Sequence, residues 1–194
     1  MHAPIQARNL SFSWPGRPPL FSGLSFTVPP GVTWLTGDEQ TGKTTLLRLL
    51  AGELTPQAGA VQVTSPVFWV DPRNDGGDAL TPPQCFERMA QRHPAMDRML
   101  LDELVDALDL APHLAKRLDM LSTGSRRKVW LAAALASGAA LTLLDQPFAA
   151  VDRASMRVIT AALGVAAAAG RAFVVADYEP PPDAALAATI NLDA

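Results

Sequence analysis

Residues 37–44 read Gly-Asp-Glu-Gln-Thr-Gly-Lys-Thr, the spacing G-x-x-x-x-G-K-[ST]. Gly37 and Gly42 let the backbone curl so that successive N–H groups, those of Asp38, Glu39, Gln40 and Thr41 between them and of Thr45 beyond, line one concavity that attracts an anion. A helix that opens at Lys43 adds the partial positive charge of its N-terminus. The Lys43 ammonium can then reach β- and γ-phosphates, and the Thr44 hydroxyl can ligate Mg²⁺. Residues of these types at these spacings imply a site for a nucleoside triphosphate.

Such a loop works only between a strand and a helix, and its flanks supply both. Residues 32–36, Val-Thr-Trp-Leu-Thr, form a short β-prone run that predicts a buried strand. Residues 45–51, Thr-Leu-Leu-Arg-Leu-Leu-Ala, predict a helix, with Gly52 placed to stop it. About 100 residues on, Leu141-Thr142-Leu143-Leu144-Asp145 is an apolar strand ending in a carboxylate. In enzymes with this loop an Asp so placed faces the glycines and holds Mg²⁺, through water. Leu121-Ser122-Thr123-Gly124-Ser125 precedes Arg126, Arg127, Lys128 and a helix predicted over 125–136. A hydroxyl and a glycine before a helix make a second anion-binding N-terminus, or an ordinary cap.

The bulk properties bound the rest. A chain of 194 residues suits one compact domain. It is 48% hydrophobic and only 18% charged, which argues for a surface covered by a partner. A net charge of −3 leaves no basic footprint for nucleic acid. The single cysteine, Cys85, excludes an internal disulfide framework and fits a reducing compartment. The start, MHAPIQARNL, has no apolar core of signal-peptide type. The longest uncharged stretch, residues 129–144, is shorter than the ~20 residues that span a bilayer and is split at Ser137-Gly138. It predicts a buried helix followed by a buried strand.

Along the chain, residues 5–14 and 24–28 predict antiparallel strands about a WPGRPP turn. Residues 61–63 and 67–70 predict a further strand pair. DPRNDGGD at 71–78 is a loop and a subdomain boundary. From 82 to about 118 the pattern is helical, with Leu101, Leu104, Val105 and Leu108 on one apolar stripe. A helix over 153–169 ended by Gly170, a strand over 172–176 and a last strand near 188–192 complete an α/β chain.

Together, the phosphate loop, LSTGS and LLDQP at these separations resemble the ATP-binding subunit of an ABC transporter, whose signature reads LSGGQ and whose Walker B strand ends in Asp-Glu-Pro. The resemblance spans essentially the whole chain. It implies an α/β P-loop NTPase with a RecA-like core, an antiparallel β subdomain (together 1–71 and 121–194) and a small helical subdomain (72–120). Phe12-Ser13-Trp14 falls where the family stacks an aromatic on adenine, so Trp14 would hold the base. Ala149-Ala150-Val151-Asp152 is similar to the family's D-loop. The resemblance further implies ATP with Mg²⁺ on Thr44 and Asp145, and a second ATP-binding subunit, identical or different, paired head to tail. Ser122 and Gly124 would then serve the opposite site. It also implies a separate integral membrane subunit docked on the insert near Asp71, and a peripheral position on the cytoplasmic face of the membrane. Within the family, the short chain and Pro147-Phe148 are similar to small exporter subunits of the haem and cytochrome c maturation type.

Three catalytic positions depart from the family pattern. Gln146 stands where the family has the glutamate that polarises the attacking water. An amide holds water but accepts no proton at neutral pH. Tyr178, beside Asp177, occupies the position of the switch histidine, and Asp71 that of the Q-loop glutamine; His2, His93 and His113 lie elsewhere. The signature carries Thr123 and Ser125 for glycine and glutamine. These changes predict weak or absent hydrolysis. They keep open an alternative in which the chain is the non-hydrolysing, regulatory or structural half of a heterodimer.

Overall fold

The computed structural model describes residues 5–63, 66–71 and 76–193. His2 and residues 72–75 of the 71–78 loop lie outside the described residues.

Five strands form a parallel sheet in the order β5 (Val67–Phe68), β6 (Leu141–Asp145), β7 (Ala172–Ala176), β3 (Gly31–Thr36), β8 (Leu186–Asn191). The three central strands are near-continuous apolar runs, as a sheet covered on both faces requires. All of β7 and all of β6 but Asp145 are buried. Because successive side chains alternate across a strand, each strand feeds two cores. Leu141, Leu143, Ala172, Val174, Ala176 and Leu35 face one side with Leu46, Leu47 and Leu50 of α1 (Lys43–Leu50). Val32, Leu144, Phe173 and Val175 face the other.

The first side is closed by a second sheet, antiparallel, in the order β2 (Pro19–Val28), β1 (Ile5–Ser13), β4 (Ala58–Gln62). Ile5, Leu10, Phe12, Phe21 and Val28 project from it into the same cluster as α1. The expected strand pair at 61–63 and 67–70 is corrected here: β4 pairs with β1 and β5 with β6, so the two segments belong to different sheets. β2 also begins five residues earlier than the turn reading allowed, at Pro19, an edge position that tolerates proline.

The second side is covered by α2 (Pro82–Arg92), α3 (Arg98–Ala107), α4 (Thr123–Ala136) and α5 (Arg153–Ala168). The predicted stripe Leu101, Leu104, Val105 and Leu108 is buried there, with Cys85, Phe86 and Met89 of α2. The helical segment therefore shares one core with the parallel sheet. α4 starts two residues before the expected position, because Ser122 Oγ accepts from the Ser125 N–H at 3.1 Å and caps it at Thr123. It ends at Ala136, and Ser137-Gly138 turns the chain into β6, as the split apolar stretch required.

Arg171 fixes that junction. Its guanidinium donates to the carbonyls of Leu135, Ala134 (3.0 Å) and Ala139 (2.9 Å) and to Ser137 Oγ and Thr142 Oγ1 (both 3.1 Å), and lies 4.9 Å from the Phe173 ring. It caps the last carbonyls of α4, and burial pulls its pKa down to about 10. Arg171→Met keeps the apolar stem but leaves those carbonyls without donors, so unfolding in urea should show a loss of ~2 kcal/mol or more. An unchanged midpoint would mean that water satisfies the carbonyls as well as the side chain does.

Candidate nucleotide site

In a parallel sheet every strand points its carboxyl end at the same edge, and open sheets of this kind bind ligands there. The edge carries residues 37–42 after β3, Asp145 and Gln146 at β6, Asp177 and Tyr178 after β7, and Asp193 after β8. Asp71 lies three residues beyond β5.

The loop after β3 is held by its own lysine. Lys43, 8% exposed, donates from Nζ to the carbonyls of Gly37 (2.5 Å) and Asp38 (2.7 Å), and Thr41 Oγ1 donates to the Asp38 carbonyl at 3.0 Å. Gly42 has φ +102°, and a Cβ there would meet Leu20 and Phe21 of β2 at 2.8 Å. The antiparallel sheet thus presses on the loop where only glycine fits. Gln40 is also in the left-handed region. Asp38, Glu39 and Gln40 are exposed, and the Asp38 N–H, expected to face an anion, donates instead to the Asp193 carboxylate.

Thr44 Oγ1 donates to Asp145 Oδ2 at 2.6 Å, joining the first turn of α1 to the end of β6. A hydroxyl and a carboxylate at that separation are hard oxygen donors of the kind that Mg²⁺ takes beside phosphate and water. The glycine-walled loop and this donor pair fit a Mg²⁺-bound polyphosphate.

A cavity of about 620 Å³ opens over the loop, within the range of small-ligand sites. Trp14, Gln40, Gly42, Lys43, Thr44, Thr45, Asp145, Gln146 and Tyr178 line it. Trp14 stands edge-on to Phe12, ring centroids 5.2 Å apart, at the end where a base would stack. Arg17, Pro18, Pro19 and Leu20 complete the wall; in the sequence the first three are legible only as part of the WPGRPP turn, and Leu20 falls outside it. Arg17 beside Trp14 was the available signal.

Gln146 has φ +48°, a left-handed conformation uncommon outside glycine, fixed by its N–H donating to the Ala176 carbonyl at 2.8 Å. Tyr178 puts its ring 4.5 Å from Lys43 Nζ. It therefore meets the phosphate-loop lysine face-on, a cation–π contact. Asp177 sits behind it, accepting from the Tyr178 N–H at 2.8 Å. Burial first, and then the Asp145 and Glu179 charges, push the Asp177 carboxyl above the ordinary carboxylate range, against the pull of the Tyr178 N–H and Arg127. Asp71 is half-buried and is not among the described residues lining the cavity.

Ser122 and Gly124 lie outside the cavity too; Ser122 is exposed, and Gly124 packs on residues 149–152. A Cβ on Gly124 would sit 2.3 Å from the Ala150 carbonyl. Arg127 donates to the Ala149 carbonyl, and Lys128 Nζ meets Asp152 Oδ2 at 2.7 Å. Lys128 and the Ser155 donors hold the Asp152 carboxyl well below the usual range. Arg127, in sequence only one of a basic triplet, feels both Asp145 and Asp177; burial lowers its pKa, and these two charges oppose that shift without cancelling it.

Asp177 yields a signed prediction. A carboxyl whose folded pKa is raised favours the fold below the unfolded value, near pH 4, and that contribution is lost as pH rises through the folded pKa. Asp177→Asn keeps an acceptor for the Tyr178 N–H without the charge. It should raise the melting temperature at pH 7, the gain vanishing below about pH 4. Equal melting of both chains at pH 7 would show that Arg127 fully compensates the carboxylate.

Comparison with known proteins agrees with this geometry. Residues 21–149 match the family model described as ABC transporter. The cytochrome c biogenesis ATP-binding export protein CcmA of Rhodospirillum rubrum is 35% identical over 176 residues, covering 84% of this chain and 76% of its own. The protein of the same name from Salmonella typhi is 33% identical over 180 residues, covering 86% and 85%. Among solved structures, a Pyrococcus furiosus protein described as an ABC transporter ATP-binding protein superposes with a TM-score of 0.80 at 19% identity, covering 98% of each chain. Another, the ATP-binding subunit of an ABC transporter, gives 0.78 at 17% identity over 91% of this chain and 80% of its own. At those identities the structures speak for the fold alone, while the family match and the curated relatives carry the assignment. This chain belongs to the ABC transporter family, as an ATP-binding, ATPase-type subunit.

Proposed function

We propose that the chain binds Mg²⁺–ATP on residues 37–45, closes over it with a second ATP-binding subunit, and so drives a separate membrane subunit. The observation that carries this is the Thr44–Asp145 bond at 2.6 Å beneath a cavity walled by Lys43, Gln146, Tyr178 and Trp14. Lys43 would neutralise phosphate charge from its place among the loop carbonyls, and Trp14 would stack on the base. Thr44 and Asp145 would hold Mg²⁺, which draws charge off the β- and γ-phosphate oxygens. No helix among the described residues is long and apolar enough to cross a membrane; the membrane subunit on another chain and the peripheral seat on the cytoplasmic face rest on membership of the family. The signature serine and Gly124, lying outside their own cavity, support the head-to-tail arrangement in which they contact the partner's nucleotide. The net charge of −3 supports a role without nucleic acid. The names of the relatives support export linked to cytochrome c biogenesis.

Hydrolysis in this subunit is slow. Gln146 can orient a water beside the γ-phosphate, but its amide takes no proton from it. Tyr178, on Lys43, offers a phenolic O–H where an imidazole would otherwise act, and Asp71 stands off the cavity. The same three residues favour the second reading, a nucleotide-binding half that does not turn over in a heterodimer.

Steady-state Mg²⁺-ATPase activity of the chain and of Gln146→Glu, each with its co-purifying partners, separates the two. A working motor gains ~10²–10⁴-fold on receiving a general base. If both proteins bind ATP and neither turns over, the non-hydrolysing reading stands.

A further inference from the structure

Beyond the catalytic positions, the phosphate loop has a contact that the loop pattern does not contain. The Asp38 N–H donates to both oxygens of Asp193, at 3.0 and 3.1 Å. The other end of the same planar peptide unit, the Gly37 carbonyl, accepts Lys43 Nζ at 2.5 Å. One peptide therefore lies between an ammonium at its oxygen and a carboxylate at its N–H, both charges favouring the same direction of its dipole of ~3.5 D. Gly37 gives this peptide freedom to rotate, and rotation would break both contacts at once. Turned the other way, its carbonyl would leave Lys43 with the Asp38 carbonyl alone as an acceptor in the loop.

Asp193 is held where this contact needs it. β8 pairs in parallel with β3 as far as Asn191 opposite Thr36, and the Leu192 N–H donates to the Thr36 carbonyl at 3.0 Å. The Asp193 N–H then donates to Asn191 Oδ1 at 2.9 Å, which turns its carboxylate onto the loop. Contact is close: a Cβ on Gly37 would lie 3.2 Å from Leu192 Cβ.

We propose that Asp193 is a positioning residue for nucleotide binding, fixing the Gly37–Asp38 peptide so that Lys43 stays aimed across the phosphate loop. The inference rests on the nucleotide site proposed above and deepens it. It also makes a prediction opposite in sign to simple electrostatics. A carboxylate near a polyphosphate repels it, so removing the charge should tighten binding if repulsion is all that Asp193 contributes. If it positions the loop, removing it weakens binding.

The test uses the full chain with Asp193→Asn and Asp193→Ala, a fluorescent ATP analogue with Mg²⁺, and hydrogen exchange at the Asp38 amide without nucleotide. Asparagine keeps one acceptor for the N–H and alanine keeps none. Affinity is expected to fall in the order Asp, Asn, Ala, with alanine ~3- to 10-fold weaker than the parent, and Asp38 exchange to quicken in the same order. Thermal melting shows whether each variant folds. Tighter binding in both variants, or exchange and affinity unchanged in a folded Asp193→Ala, would overturn the proposal. Failure of the unsubstituted chain to bind the analogue would sink the nucleotide reading itself, and this inference with it.

Discussion

The hydrogen bond from Thr44 to Asp145 depends on nearly every layer of the fold. It joins residues 101 apart in sequence, one in the helix that follows β3 and one at the end of β6, and β7 lies between those two strands. Only because β3, β7 and β6 run parallel do their carboxyl ends share an edge. Only because α1 lies across β6 and β7, its Leu46, Leu47 and Leu50 buried against Leu141, Leu143 and Val174, does its first turn arrive above the end of β6. A parallel sheet buried on both faces is thus the condition for the chemistry, and the apolar runs of β6 and β7 are its cost in composition.

The two faces of that sheet divide the labour. The antiparallel sheet packs on the α1 side, closes the phosphate loop against Leu20 and Phe21, and supplies Trp14 to the cavity. The helices on the other side carry residues 121–125, proposed as the signature, and join them to residues 149–152 through Gly124, Arg127 and Lys128. A rigid link between signature and D-loop suits the proposed pairing, in which one subunit's signature and the other's phosphate loop must approach as solid bodies.

Much of this was legible in the sequence because its signals are local. The loop glycines, the strand ending in Asp145, and the break at Ser137-Gly138 each follow from neighbouring residues, and the structure places them accordingly. What was misread depended on pairing at a distance. Two short runs at 61–63 and 67–70 look like a hairpin, yet nothing in them says that one joins β1 and the other β6. Ser122 is legible as a cap and is one, yet α4 starts at Thr123, two residues before the start that the run of residue types suggests. Arg171 gave no signal, since its acceptors are carbonyls 32 to 37 residues away. Asp193 was invisible for the same reason: a lone acid after a strand acquires meaning only once β8 is laid beside β3. Asp71 resembles a family position only through its place after residues 67–70, and it does not line the cavity.

Isothermal titration of the chain with ATP, with and without Mg²⁺ and beside Lys43→Ala, tests the central claim most directly. The account predicts one site per chain, dependent on Mg²⁺ and lost with the lysine. Binding indifferent to both Mg²⁺ and Lys43, or no binding to a folded chain, would contradict it.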